Sequence, residues 1–101
     1  MDKTLAETIE TYERKWLRIN KARKRCWDIL DARGMKRDAR KEMTKRVNRL
    51  GERETIITNL LCELYRHTGL YPNAQTWSRD WQEAIKAKYA EEVVGETVYL
   101  D

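Results

Sequence analysis

The chain has 101 residues, of which 38% are charged and 41% hydrophobic, and its net charge at pH 7 is +4. This length accommodates one domain, and no run approaches the roughly 20 apolar residues that a membrane-spanning helix needs, so we expect no membrane span. One Pro and four Gly are too few turn residues for a small all-β fold, whereas four Trp and five Tyr can form a core. Composition therefore predicts an all-α protein in which residues 1–101 form a single helical domain.

The first predicted helix covers about residues 3–33 and carries a heptad pattern. Its apolar positions follow steps of four and three residues, which is typical of one helix packed along another. These positions are Leu5, Ile9, Tyr12, Trp16, Ile19, Cys26 and Leu30. Arg23 occupies the one position of this pattern that is not apolar. We expect the helix to end at Arg33-Gly34, with Gly34 in the left-handed conformation and a cation in the last turn.

The second predicted helix covers about residues 38–68, from Asp38 as N-cap to Gly69 as its end. Its apolar positions are Met43, Val47, Leu50, Ile57, Leu61 and Leu64. Glu54 interrupts the pattern. Gly51 lies in the middle, but the apolar positions stay in phase on both sides of it. We therefore predict one continuous helix rather than a chain reversal at Gly51.

Two such helices joined by a short loop predict a long antiparallel hairpin, about 45 Å long at 1.5 Å per residue. One register pairs residues whose numbers sum to about 73 throughout. The pairs are Ile9 with Leu64, Tyr12 with Leu61, Trp16 with Ile57, Cys26 with Val47, and Leu30 with Met43. In this register Arg23 and Glu54 lie one turn apart, and we expect them to pair because a lone buried charge is costly.

A shorter third helix is predicted over about residues 76–92, with Thr76 as its cap. Four large side chains recur along it at every fourth residue: Trp77, Trp81, Ile85 and Tyr89. Together with Trp27, which lies off the apolar pattern, this face is a candidate interface for another protein. The alternative is that the face packs onto the hairpin as core. Residues 93–101 predict a short extended tail, either a small hairpin or an arm that pairs with another chain.

Several apolar side chains lie outside the two-helix contact and need cover. A third helix about 25 Å long cannot cover a 45 Å hairpin. The uncovered residues are Leu17, Trp27, Ile29, Ile56 and Leu60. Because so small and polar a chain buries little surface alone, we expect a homodimer.

The cysteine and histidine content predicts neither a disulfide framework nor a metal site. Cys26 and Cys62 lack CxxC spacing, and the hairpin register places them about 20 Å apart. We expect two free thiols, no metal, no cofactor, and a reducing cytoplasmic location. His67 falls in the last predicted turn of the second helix, where no nucleophile or paired carboxylate accompanies it, so a catalytic role is not predicted.

Charge is divided unevenly along the chain. Residues 14–53 hold sixteen Lys and Arg against five Asp and Glu, a balance of +11, and the remainder has a balance of −7. Folding as a hairpin gathers the cations in the half near the turn. Such a surface attracts phosphate backbones, and an acidic protein face would satisfy it equally. The residues expected to bind a polyanion are Arg18, Lys21, Lys24, Arg25, Arg33, Lys36, Arg37, Arg40, Lys41, Lys45 and Arg49.

The predicted function is therefore that of a small non-enzymatic binding protein for nucleic acid or an acidic protein face. An alternative is an inhibitor or adaptor acting by protein–protein contact, of the kind that phages and mobile elements encode against host defence. Small size, dense charge and the absence of catalytic motifs suit both classes.

A minor alternative rests on a loose similarity to the all-helical chorismate mutases. Leu5-Ala6, Ile9, Glu13 and Arg23 stand where that family has its first-helix motif, Arg53-Glu54 resembles its second-helix Arg-Glu pair, and Ser78 and Gln82 have the spacing of its third-helix pair. The resemblance implies a small helical dimer with a cationic pocket for a dicarboxylate. Ala6 stands where the family has an arginine that its chemistry requires, so we predict no enzymatic activity.

Overall fold

The computed structural model describes residues 4–32 and 34–92, and within them the fold is all-α as predicted. The helices are α1 (Leu5–Asp31), α2 (Arg37–Thr68) and α3 (Arg79–Lys88). α1 and α2 pack antiparallel as a hairpin, and α3 packs against the half of it that contains the open end. The molecule measures 47 × 29 × 23 Å. The predicted extended tail, residues 93–101, lies outside the described residues.

α1 begins one residue after Thr4, whose hydroxyl accepts a hydrogen bond of 3.2 Å from the Glu7 N–H. It ends at Asp31, two residues earlier than predicted, and Ala32 continues in an extended conformation. Gly34 does adopt a left-handed φ of +88°, as expected, but within the connecting loop. The prediction of a cation in the last turn of α1 is wrong, since that turn contains no basic residue. The guanidinium of Arg40, from α2, instead donates a hydrogen bond of 2.8 Å to the Leu30 carbonyl.

α2 is continuous through Gly51, so the predicted read-through is confirmed and the chain reverses near Gly34. The helix begins at Arg37 with Lys36 as N-cap, which places Asp38 in the first turn rather than at the predicted cap. A carboxylate in the first turn still interacts favourably with the helix dipole. At the other end Gly69, with φ +76°, is the left-handed cap that its sequence position indicated.

The hairpin has two clusters of buried side chains, one toward the turn and one toward the open end, and Ile57 packs against both. The cluster near the turn contains Ile19, Ala22, Cys26, Leu30, Val47 and Leu50, with Met35, Met43 and Ile57 against it. It holds the predicted partners Cys26 and Val47, and Leu30 and Met43. Both cysteines are buried free thiols, as predicted, and burial raises the pKa of Cys62 above its usual range.

The second cluster, at the open end, includes the residues by which α3 packs onto both long helices. It contains Ile9, Trp16, Leu17, Leu61, Cys62, Tyr65, Ala74, Trp81, Ile85 and Tyr89. The Trp16 and Trp81 rings meet edge to face with centroids 5.2 Å apart. The Trp16 indole N–H also donates to the buried Thr58 hydroxyl at 3.1 Å. Leu17, expected to need cover from a second chain, is thus covered within this one.

α3 is shorter than predicted at both ends. The segment expected to begin the helix at Thr76 forms a turn, in which the Ser78 N–H donates to the Gln75 carbonyl and the Ser78 hydroxyl accepts from the Gln75 N–H. The Trp81 indole N–H also donates to the Gln75 carbonyl, at 2.8 Å. These bonds hold the chain out of helical register until Ser78, which is the N-cap.

Candidate polyanion-binding surface

The chain reversal between α1 and α2 separates the two charge populations of the sequence. Residues 14–53 form the half of the hairpin next to the reversal, and α3 packs against the other half. The cation-rich half therefore lies toward one pole of the molecule, and acidic residues of α1, α2 and α3 lie toward the other. This separation is a consequence of the hairpin, since the same composition in a straight helix would place the cations at its centre.

Most cations of the predicted polyanion site are exposed, and we call those that the structure describes the basic surface. Arg18 is half-buried and the other described members are exposed. Arg33 lies outside the described residues. The basic surface comprises Arg18, Lys21, Lys24, Arg25, Lys36, Arg37, Arg40, Lys41, Lys45 and Arg49.

Some members of the basic surface also have partners within the chain. Arg40 is held at the end of α1 through the Leu30 carbonyl, so part of its role is to close the hairpin. Lys45 lies 3.5 Å from Glu42 one turn away, in an exposed pair of little energetic value. Arg25 and Arg49 also make interactions within the chain. Lys21, Lys24, Lys36 and Lys41 are exposed and remain the clearest candidates for contact with an external anion.

The opposite pole contains a buried polar cluster that the sequence analysis did not identify. Glu13 is only 4% exposed. Its carboxylate accepts hydrogen bonds from the Tyr65 hydroxyl at 2.6 Å, the Tyr89 hydroxyl at 2.7 Å and the Lys88 ammonium at 3.1 Å. Burial, and then the hydrogen bond to Glu13, raise the pKa of both tyrosines above the ordinary range. The tyrosines therefore stay protonated and act as donors.

This cluster connects all three helices, which indicates a structural role for it. Glu13 lies on α1, Tyr65 on α2, and Lys88 and Tyr89 at the end of α3. The Arg14 guanidinium adds a bond of 2.7 Å to Glu92, just beyond α3. The only signal in the sequence was an acidic residue one turn from Ile9 and Trp16, and that spacing did not reveal its partners.

Arg23 and Glu54 pair across the hairpin as predicted, although less tightly and less deeply than a core pair would. Arg23 Nη1 lies 3.5 Å from Glu54 Oε1, with the side chains 40% and 18% exposed. Two further atoms, Arg23 Nε and Glu54 Oε2, are buried without a hydrogen-bond partner. Burial raises the pKa of Glu54, and the nearby Arg23 charge opposes that rise.

The residues predicted as an interface fall into two groups. Trp81, Ile85 and Tyr89 are buried within the chain, so they belong to the alternative considered for this face, the core. The prediction that these three residues contact another protein is therefore corrected, because a side chain enclosed by its own fold has no surface left for a partner. Trp27 and Trp77 remain exposed, at 48% and 75%.

The residues compared with chorismate mutases do not all meet at one point. Arg23 and Glu54 pair across the hairpin, Glu13 bonds the two tyrosines, and the Gln82 amide donates to the Thr76 carbonyl in the turn before α3.

Among the described residues no group of three or more His, Cys, Asp or Glu side chains could hold a metal ion. In that same part of the chain, no helix combines the length and apolar character needed to cross a membrane.

Comparison with known proteins adds no relative. No family model, curated protein or solved structure matches this chain.

Proposed function

We propose that this protein is a non-enzymatic binding protein whose basic surface engages a polyanion, either nucleic acid or an acidic protein face. The observation that carries the proposal is the separation of charge by the hairpin, with a balance of +11 in residues 14–53. Solvated helices usually mix both signs on one face, so that their fields largely cancel, whereas a patch of one sign keeps its field out to a Debye length, about 10 Å at 0.1 M salt. A segregated patch retains a long-range field that steers an anionic partner toward it.

The proposal is tested by moving net charge in opposite directions at the two poles. A variant with Lys21→Gln, Lys36→Gln and Lys41→Gln removes three exposed cations of the basic surface. Its matched control, with Glu7→Gln, Glu63→Gln and Glu91→Gln, removes three exposed acids of the other pole. Binding to labelled duplex DNA, single-stranded RNA and polyglutamate is measured by fluorescence anisotropy at several salt concentrations.

The lysine variant is expected to lose affinity by about tenfold or more at low salt. Its plot of log affinity against log salt should flatten by about 0.7 to 0.9 for each phosphate contact removed. The control should keep the wild-type slope. If the two variants change affinity by equal and opposite factors, net charge alone governs binding and the basic surface is not a site. Absence of binding to all three probes would also reject the proposal.

Exposed apolar side chains favour a second candidate, an inhibitor or adaptor that acts by protein–protein contact. Trp77 is 75% exposed and Leu70 is 59% exposed, in the same connection between α2 and α3. Large exposed tryptophans are frequent anchors of protein interfaces. A homodimer could use the same side chains or Ile56, which is 67% exposed on α2. Light scattering of the wild type and of the Trp77→Ser and Ile56→Ser variants tests the homodimer. The mass should fall in a variant only if the dimer contact uses the residue that was changed.

A further inference from the structure

Beside Arg23 the molecule has an open concave surface whose lining differs from the rest of the basic surface. It encloses about 480 Å³ and is lined by Asn20, Arg23, Lys24, Trp27, Glu54 and Lys86. The four α1 residues follow the spacing of one helix face, and Lys86 comes from α3. A second concavity of about 450 Å³ lies on the other side of Arg23 and shares both Arg23 and Trp27 with the first. These volumes are in the range of small-ligand sites.

The lining of the first concavity brings three cations to one place. Arg23, Lys24 and Lys86 surround it together with the carboxylate of Glu54, and Lys86 also forms an exposed ion pair of 3.7 Å with Glu83 on α3. The Glu54 side chain is 18% exposed, whereas the side chain of its partner Arg23 is 40% exposed. An excess of positive charge therefore faces the opening.

Arg23 has hydrogen-bonding capacity that the fold leaves unused. A guanidinium carries five N–H donors, and the contact between Arg23 Nη1 and Glu54 is long, at 3.5 Å. Arg23 Nε is buried, so the donors available to an external anion are those of the two Nη groups. The guanidinium lies beside Gly51 of α2, where a Cβ would stand at an ordinary contact distance of 3.6 Å from three of its atoms. The planar guanidinium fork is suited to contact two oxygens of one anion, such as a phosphate.

Trp27 gives the same surface a flat aromatic face. Its side chain is 48% exposed and borders both concavities. A free phosphate does not stack on an indole, whereas a nucleobase does, and such a stack adds to the binding that charge supplies. In a duplex the bases are already stacked on one another, so only an unpaired base could reach Trp27.

We propose that this concave surface binds one nucleotide of a single-stranded nucleic acid, with the base stacked on Trp27 and the adjoining phosphate held by Arg23, Lys24 and Lys86. The inference rests on the proposed function, because the rest of the strand would follow the basic surface. It goes further in assigning single-stranded nucleic acid, rather than duplex or acidic protein, as the partner.

The test uses the two exposed tryptophans as site and control. A short labelled oligothymidylate is titrated into the wild type, Trp27→Ala, Trp77→Ala and the Lys21/Lys36/Lys41 variant, each first checked for an unchanged melting temperature. Trp27→Ala is expected to weaken binding about tenfold, the loss typical of removing one base–aromatic stack, with the salt slope unchanged. Trp77→Ala should bind as the wild type does.

A spectroscopic measurement separates stacking from charge alone. In Trp77→Phe, the indole of Trp27 is the remaining exposed tryptophan, because Trp16 and Trp81 are buried. Oligothymidylate should quench its fluorescence, and polyglutamate of equal charge should not.

Equal affinity of Trp27→Ala and wild type would overturn the inference. If the lysine variant still lost affinity, the proposed polyanion function would survive that result. Tighter binding of duplex than of single strands, or displacement of the oligonucleotide by polyglutamate at equal charge, would also overturn the single-strand assignment. Failure of every probe to bind would reject both proposals together.

Discussion

The Tyr89 hydroxyl donates a hydrogen bond of 2.7 Å to the carboxylate of Glu13, which joins the end of α3 to the first long helix. The same carboxylate accepts from Tyr65 and Lys88, so one buried charge is satisfied by donors from both other helical elements. A carboxylate that is 4% exposed would be costly without these partners. The contact explains why a short helix of ten residues stays in place on the hairpin.

We predict that Glu13→Gln destabilises the protein by about 3 kcal/mol, the range found when a buried charged network loses a partner. The amide retains one acceptor oxygen but turns a donor toward groups that are themselves donors. Urea unfolding followed by circular dichroism measures the change. The control is Glu10→Gln. The Glu10 side chain is 42% exposed and forms a loose ion pair of 3.8 Å with Arg14, so its loss should cost less than about 0.5 kcal/mol. Equal effects at the two positions would contradict a special role for Glu13.

Alkaline pH should unfold the protein through Tyr65 and Tyr89. Burial and the Glu13 hydrogen bonds raise the pKa of both hydroxyls in the folded state. Unfolded tyrosines ionise near pH 10, so above that pH the folded state holds more protons and stability falls as pH rises. The expected loss is about 1.4 kcal/mol per pH unit for each tyrosine.

The measurement is the free energy of unfolding at pH 9, 10 and 11 for the wild type and for Tyr65→Phe/Tyr89→Phe. The double variant should be less stable at neutral pH, because Glu13 loses two donors, but its stability should fall less steeply between about pH 10 and 11. Parallel curves for the two proteins would show that other groups cause the alkaline transition.

For the pair across the hairpin we predict that Arg23→Leu and Glu54→Leu each lower the melting temperature, whereas the double change is tolerated. Each single change leaves a charge in a partly buried position, at a cost of about 1 kcal/mol or more. The double change removes both charges together with the two buried atoms that lack partners. Scanning calorimetry of the three variants is the test. Equal melting of all three would show that the pair contributes nothing to stability.

Gly51→Ala is expected to stabilise the protein by about 0.5 to 1 kcal/mol, because glycine is a poor helix former and this one lies inside α2. The added Cβ would lie 3.6 Å from the Arg23 guanidinium, an ordinary van der Waals contact. The comparison is Gly69→Ala. There the backbone has a φ of +76°, and an alanine should cost about 1 kcal/mol. Thermal unfolding that ranks Gly51→Ala below the wild type would contradict the open packing at Gly51.

The sequence by itself determined the two long helices, their antiparallel pairing and the Arg23–Glu54 contact. A heptad pattern records which face of each helix is buried, and an in-phase pattern on both sides of Gly51 requires one continuous helix. The same information predicts that the cations of residues 14–53 gather near the turn, because a hairpin fixes the order of residues along its length.

Only the tertiary structure decided what lies on the flanks of that hairpin. α3 docks beside the two-helix contact, where Glu13 and Tyr65 meet Tyr89, and no periodicity in α1 or α2 reports where a third helix will pack. Its start at Arg79 also depends on tertiary contacts, since bonds to the Gln75 carbonyl from the Ser78 backbone and the Trp81 indole replace helical ones. The concave surface at Arg23 arises for the same reason, because Lys86 reaches it from a separate element. Local pattern fixes a helix and its buried face, whereas side chains far apart in sequence meet only after those helices pack.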